Sequence, residues 1–146
     1  MNRSLYLAGK MNDLTYEEAS GWRMYIQKEL KNYNVNVLSP MRNEDFSNIG
    51  NDVITDKNFT NEYKKEIFMK DVTDIMNCDD VVINFMNEQP SFGSNWEMGY
   101  SYFANKIIYA INVPDYLQKH PFFIASVNYC FNDINKFINF YIKNIL

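Results

Sequence analysis

The chain has 146 residues, 47% hydrophobic and 16% aromatic, so it is long and apolar enough to fold around a packed core. Its formal charge of −4 at pH 7 provides no basic surface for a phosphate backbone, which argues against binding of polymeric nucleic acid. The apolar runs are too short to cross a bilayer. We expect one domain over residues 1–146, with no membrane association.

The N-terminus and the two cysteines predict the cellular compartment of the protein. The first residues lack the basic and apolar pattern of a secretory signal. Cys78 and Cys130 stand far apart without metal-ligand spacing, and we expect both to be buried thiols in a reducing compartment. These features predict a cytoplasmic protein.

The first half of the chain predicts two strands and a helix. Residues 5–8 form an apolar run that ends at Gly9, which indicates a buried strand followed by a turn. Thr15 and Glu18 fit a capping box, after which apolar residues recur at helical spacing: Ala19, Trp22, Ile26, Leu30 and Tyr33. A second strand, residues 35–39, is ended by Pro40.

A polar stretch from residue 43 to about residue 61 follows, rich in Asn and Asp and too long for an ordinary connection. Such a segment is either a lid or substrate loop or a disordered part of the surface, and the sequence leaves both open.

The second half alternates helices and strands. It predicts a helix over 62–77, a strand over 81–86, a turn and helix around Gly93, a strand over 107–111 and an amphipathic C-terminal helix. Apolar strands alternating with amphipathic helices indicate an α/β fold, a doubly wound, flavodoxin- or Rossmann-like parallel sheet with helices on both faces. We therefore expect Gly9, Ser39 and the 87–93 loop to meet in one crevice at the carboxyl ends of the strands.

Glu97 is the first candidate catalytic residue. It follows Gly93 by four positions, which suggests a carboxylate in the first turn of a helix, where the helix dipole keeps it ionised and able to attack carbon. The structural alternative is a capping box, in which Ser94 is the N-cap and Glu97 folds back onto its amide.

Asp71 is the second candidate. On the 62–77 helix it lies three residues after Phe68 and four before Ile75, so it should project from the inward face. It either caps a neighbouring loop or shares the crevice with Glu97. Two acids in one crevice are typical of glycosyl-bond chemistry.

The segment from Gly93 through Glu97 to Gly99, with Asp71 on the preceding helix, resembles the nucleoside 2-deoxyribosyltransferase family. Residues 6–11, Trp22-Arg23 and Ser39-Pro40 are similar to its N-terminal half. The resemblance implies that Glu97 attacks the anomeric carbon and that Asp71 moves a proton at the base or orients the sugar. The resemblance also implies that the product keeps its configuration and that no metal or organic cofactor takes part.

Ser91 departs from the transferases of this family, which often carry an acid shortly before the glycine. A serine there resembles the relatives that hydrolyse 2′-deoxynucleoside 5′-monophosphates, in which it helps to hold phosphate. Lys10 could add a cation, or it could be a solvated turn residue. The resemblance further implies that Tyr6, Gly9 and Gly93 contact the substrate.

Members of the family form dimers or larger homo-oligomers in which a neighbouring subunit completes each site. Here that contribution would come from about residues 123–128, with Ser126 and Asn128 as polar candidates. The leading hypothesis is hydrolysis of nucleoside 5′-monophosphates. The alternatives are base exchange between free deoxynucleosides and a nucleotide-binding module without chemistry, although a pure binder of anions gains little from two acids.

Overall fold

The computed structural model describes residues 2–146, which form a five-stranded sheet and six helices. The strands are β1 (Arg3–Gly9), β2 (Val35–Leu38), β3 (Asp80–Asn84), β4 (Ile107–Ile111) and β5 (Tyr129–Phe131). The helices are α1 (Tyr16–Leu30), α2 (Asn61–Asn77), α3 (Phe92–Phe103), α4 (Asp115–Gln118), α5 (Pro121–Ser126) and α6 (Ile134–Asn144).

The strand order is β2-β1-β3-β4-β5, and every neighbouring pair is parallel. Side chains of β1 alternate between the two faces, so Leu5 and Leu7 pack with α1 and α6, whereas Tyr6 and Ala8 pack with α2 and α3. Helices therefore cover both faces, which confirms the predicted doubly wound α/β fold.

The strand order reverses at β1, which has β2 on one side and β3 on the other, so the binding crevice of such a sheet lies at the carboxyl end of this strand. Gly9 ends β1 beside Asn84, the last residue of β3. A Cβ atom on Gly9 would lie 3.1 Å from the Trp22 ring and 3.2 Å from the carbonyl oxygen of Asn84. Glycine is therefore required here by the close approach of its neighbours.

Helix α3 begins earlier than predicted. Ser91 is its N-cap, and its hydroxyl oxygen accepts a hydrogen bond of 3.1 Å from the amide of Ser94. The capping box between Ser94 and Glu97 is therefore wrong, Gly93 lies inside the helix, and Glu97 lies in the second turn. The capping box between Thr15 and Glu18 is confirmed.

Three short elements were not predicted, namely α4, α5 and the edge strand β5. Cys130 lies on β5 and is exposed, so the expectation that both thiols are buried holds only for Cys78. Across residues 2–146, no helix combines the length and apolar character that a bilayer crossing requires.

The 43–60 loop packs against the start of α1. Ile54 exchanges backbone hydrogen bonds with this region, donating to the Leu14 carbonyl at 2.7 Å and accepting from Asp13 at 3.0 Å. Leu14, Met41 and Ile54 form a small buried cluster beneath the loop. The loop therefore packs against the domain through Ile54.

Candidate active site

Four side chains from four elements meet near the carboxyl end of β1: Tyr6 of β1, Arg23 of α1, Asp71 of α2 and Glu97 of α3. Tyr6 faces α2 and α3 because it lies on the face of β1 that packs against Ile75 and Met98. Met98 and Ser101 turn inward on α3, so the adjacent Glu97 lies at the partly buried edge of the helix.

Glu97 is half-buried, and burial raises its pKa to about 8, with a further contribution from the Asp71 carboxylate. Tyr6 and Arg23 act in the opposite direction. The expectation that a helix N-terminus keeps Glu97 ionised is therefore wrong. The dipole effect fades beyond the first turn, and Glu97 lies in the second.

Asp71 also faces inward, as predicted. Its Oδ1 atom is buried and has no hydrogen-bond partner within residues 2–146, so nothing supports the alternative of a loop cap. Burial raises the pKa of Asp71 to about 6, against the opposing effect of the Lys70 ammonium group.

The Asp71 carboxylate raises the pKa of the neighbouring Glu97 carboxyl group. With pKa values of about 6 and about 8, they hold roughly one proton between them at neutral pH. The buried hydroxyl of Tyr6 lies beside them, and its pKa is raised by burial, then by the charges of Glu97 and Asp71. The hydroxyl is close enough to both acids to lower their pKa values, although it falls outside strict hydrogen-bond geometry with every group among residues 2–146.

A second group of polar side chains lies at the start of α3. Ser91 and Lys10 line one small cleft, together with Asn84, Ser94 and the carboxylate of Glu88. The hydroxyl oxygens of Ser91 and Ser94 are 2.9 Å apart, and Lys10 Nζ is 3.9 Å from Glu88 Oε2. Anions bind to groups of the kind found here, which are hydroxyl groups, a lysine and the first turn of a 12-residue helix.

The remaining predicted residues lie elsewhere. Gly93 is exposed, and a Cβ atom there would meet nothing within 4 Å, so packing does not require glycine. The Ser126 hydroxyl donates to the Phe122 carbonyl, and Asn128 Oδ1 accepts from the Ile108 amide at the amino end of β4. Neither joins Asp71 and Glu97 within this chain, and their contribution to a neighbouring subunit stays a prediction.

Arg23 entered the family resemblance only as part of the Trp22-Arg23 pair. Its position in the candidate site was not predicted. It is 1% exposed, and its guanidinium donates to the Gly9 carbonyl at 2.9 Å. A signal was present in the sequence, because Arg23 lies four residues after Ala19 and three before Ile26, on the inward stripe of α1.

The chain belongs to the nucleoside 2-deoxyribosyltransferase family, whose model matches residues 5–140. It is therefore an enzyme of N-glycosidic bonds, as the resemblance implied. No curated protein is similar enough in sequence to match it.

Solved structures share the fold at low sequence identity. A 2-deoxyribosyltransferase from Bacillus psychrosaccharolyticus is 20% identical, with a TM-score of 0.66 over 93% of this chain and 90% of that one. A 2-desoxiribosyltransferase from Leishmania mexicana is 14% identical, with a TM-score of 0.63 over 99% of each chain. A CMP N-glycosidase from Clostridium botulinum is 13% identical, with a TM-score of 0.55 over 94% of this chain and 96% of that one.

Proposed function

We propose that this protein hydrolyses the N-glycosidic bond of nucleoside 5′-monophosphates, with Glu97 as the nucleophile and Asp71 as the acid–base residue. The observation that carries the proposal is that α2 and α3 bring two partly buried carboxyl groups near one another, so that Asp71 raises the pKa of Glu97. Glycosidases use such pairs because one group must protonate the leaving group while the other faces the developing oxocarbenium ion.

The reaction proceeds in two displacements. A carboxylate oxygen of Glu97 bonds to C1′ as the bond from C1′ to the base nitrogen breaks, and the base takes the electron pair with a proton from Asp71. Water then attacks C1′, giving a proton to Asp71 and releasing Glu97. Two displacements at one carbon leave the configuration unchanged.

The charge state of the two carboxyl groups is compatible with these two displacement steps. The reactive form needs a proton on Asp71 and none on Glu97, which is the same total as in the free protein at neutral pH. Only the position of one proton differs, and positive charge developing at C1′ favours the ionised form of Glu97.

The start of α3 supports a phosphorylated substrate. Ser91 presents a hydroxyl where a carboxylate would repel phosphate, and Lys10 lines the same cleft. Lys10 Nζ is 3.9 Å from the exposed Glu88, a long contact that a phosphate dianion can replace. A protein of similar fold is named as a CMP N-glycosidase, which acts on a nucleoside monophosphate.

Base exchange between free deoxynucleosides is the second candidate, because the family and two of the similar structures carry the name of that reaction. Incubation with deoxynucleosides and with their 5′-monophosphates, each with and without a second free base, separates the two. Base release from monophosphates alone supports hydrolysis, whereas formation of a new nucleoside supports exchange. Ligand binding without turnover of either substrate class would favour the non-catalytic module.

We also propose that the protein is a homo-oligomer. Phe92, Trp96 and Phe103 form one stripe along α3, and they are 88%, 38% and 83% exposed. Phe68 of α2 extends this stripe, with its ring 4.9 Å from that of Trp96. A contiguous exposed aromatic surface of this kind is typical of a subunit interface. It begins next to Glu97, which suits the proposed completion of each site by Ser126 and Asn128 of a neighbouring subunit.

A further inference from the structure

Asn84, the last residue of β3, is a buried amide in the cleft that Ser91 and Lys10 line. The residue is 5% exposed, and its Oδ1 atom accepts two hydrogen bonds, one of 2.9 Å from the backbone amide of Met86 and one of 3.2 Å from Nδ2 of Asn112. These donors fix the orientation of the amide, because a flipped group would place N–H against N–H. The Nδ2 atom, in contrast, donates to no group among residues 2–146.

The turn after β3 explains only the acceptor half of this amide. Met86 and Asn87 have φ values of 55° and 56°, in the left-handed region that favours glycine, so contacts must hold the turn. One such contact is the bond from the Met86 amide to Asn84 Oδ1. Another is a bond of 2.7 Å from the Asn87 amide to the Asn112 carbonyl. A side-chain oxygen that accepts from the amide two residues later forms an Asx turn, which makes no use of Nδ2.

The choice of asparagine over aspartate at position 84 is therefore informative. Aspartate has nearly the same shape and also forms Asx turns. Because it is charged, it would accept the two hydrogen bonds at Oδ1 more strongly than an amide does. Asparagine provides instead a free N–H donor and the absence of a negative charge. Both properties suit an anion in the cleft, as does the uncharged hydroxyl of Ser91.

The position of Asn84 in the sheet places this donor at the crevice. Asn84 pairs with Gly9 of β1 and ends β3, the middle strand of the five. Lys10 follows Gly9, and Ser91 caps α3, so two further donors reach the same cleft. The carboxylate of the cleft belongs to Glu88, whose side chain is 57% exposed. Water can therefore solvate Glu88 outside the cleft when another anion occupies it.

We propose that Asn84 is a substrate-binding residue whose free Nδ2 group donates a hydrogen bond to the 5′-phosphate of the nucleotide, beside the Ser91 hydroxyl and the Lys10 ammonium group. This rests on the proposed function, and specifically on a phosphorylated substrate. Met86 and Asn112 hold the acceptor side of the amide, so the donor is oriented before the nucleotide binds and little side-chain freedom is lost. Asn84 thereby contributes to a preference for monophosphates over free nucleosides.

The test replaces the free donor with a negative charge while keeping the turn. Asn84→Asp retains an oxygen that accepts from Met86 and Asn112, so the hydrogen bonds of the turn are preserved. Asn105→Asp is the matched control, because it adds the same charge at an exposed turn before β4. Parent and variants all carry Glu97→Gln to prevent turnover. Calorimetry then measures the binding of inorganic phosphate, cytidine 5′-monophosphate and cytidine.

We expect Asn84→Asp to weaken the binding of inorganic phosphate and of cytidine 5′-monophosphate by about tenfold or more, because a negative charge replaces a donor. Cytidine carries no phosphate, so its affinity should change by less than about twofold. Asn105→Asp should match the parent with all three ligands. A second readout needs no substitution at position 84. In 15N NMR of the parent, the side-chain amide protons of Asn84 should shift downfield as inorganic phosphate is added.

Unchanged phosphate affinity in Asn84→Asp overturns the inference. An equal loss of affinity for cytidine and for its monophosphate overturns it as well, since a structural role would produce that result, and so does a parent that binds no phosphate. If Asn84→Asp does not fold, the NMR titration decides, and amide protons that stay in place while phosphate binds reject the inference. None of these measurements needs turnover. Failure of the proposed function, seen as absence of base release by the wild type, is therefore distinguished from failure of this inference.

Discussion

Asp71 of α2 and Glu97 of α3 lie close enough together that the carboxylate of Asp71 adds to the burial that raises the Glu97 pKa to about 8. The oxygen atom Oδ1 of Asp71 is itself buried without a hydrogen-bond partner among residues 2–146. The site therefore holds two carboxyl groups at some cost in stability, which is typical of catalytic pairs.

That cost predicts a pH-dependent gain in stability for Glu97→Gln. The pKa of Glu97 is higher in the folded state than its ordinary value of 4.5, so the folded protein binds more protons in this range. The stability that Glu97 contributes is complete below about pH 4.5 and is lost as the pH rises through about 8. Glutamine does not titrate, so the variant avoids this loss.

Thermal melts should show similar midpoints for wild type and Glu97→Gln near pH 5. By pH 8.5 the variant should melt at least about 3 °C higher. Glu88→Gln, which changes an exposed glutamate, serves as the control. A constant difference between the two melting curves across this pH range would contradict a raised Glu97 pKa.

Asp71→Asn should slow base release by roughly 10²–10⁴-fold, because the amide cannot donate the proton that the departing base requires. Single-turnover kinetics with the natural substrate measure this loss. Asp79→Asn is the control, since Asp79 is exposed and bonds to Ser4 at the amino end of β1.

A substrate whose base carries an N7-methyl group provides a second test of proton donation by Asp71. Such a base leaves as a neutral molecule without protonation, so it should restore most of the rate to Asp71→Asn. An Asp71→Asn enzyme that is equally slow with both substrates, or fully active with the natural one, would remove Asp71 from proton transfer.

Ser91→Asp should select against phosphorylated substrates. Aspartate preserves the N-cap of α3, so the helix start is kept, but it places a negative charge in the cleft beside Lys10. We expect kcat/KM for the monophosphate to fall by about tenfold or more relative to the free nucleoside. Ser91→Asn preserves the cap without charge and should show a much smaller change. If both variants keep the wild-type ratio, phosphate does not bind at Ser91.

Phe103→Lys should dissociate the oligomer. Phe103 is 83% exposed on α3, and a buried lysine there would lose its hydration without gaining a partner. Met24→Lys, on the opposite face of the sheet and 58% exposed, should leave the assembly intact. Sedimentation velocity measures the oligomeric state of both variants. A wild-type protein that sediments as a monomer would refute the proposed assembly.

The amino-acid sequence alone predicts the fold and the inward position of Asp71, because both depend on local periodicity. Ile75, one turn after Asp71, is buried and fixes that face of α2. The start of α3 was misplaced because Ser91 and Ser94 both fit an N-cap, and local preference alone does not choose between them. Strand β5 has three residues and pairs on one side only, which leaves a weak pattern.

Tertiary structure decides the remaining features. The charge state of Glu97 depends on burial by neighbouring elements, which outweighs the helix dipole used in the prediction. Arg23 is buried at the carboxyl end of β1, where it donates to the Leu7 and Gly9 carbonyls beyond the last residue pair of β1 and β2. The spacing along α1 places Arg23 on the inward stripe, but it does not show which groups the guanidinium binds.

The central claim is that Glu97 attacks C1′ of the substrate sugar. It is tested most directly by rapid acid quench of the enzyme during turnover, proteolysis and mass spectrometry of the peptide that contains residue 97. The account predicts a covalently attached sugar phosphate on Glu97, absent from Glu97→Gln and accumulating when water attack is slow. Rapid base release with residue 97 unmodified at every quench time would contradict it.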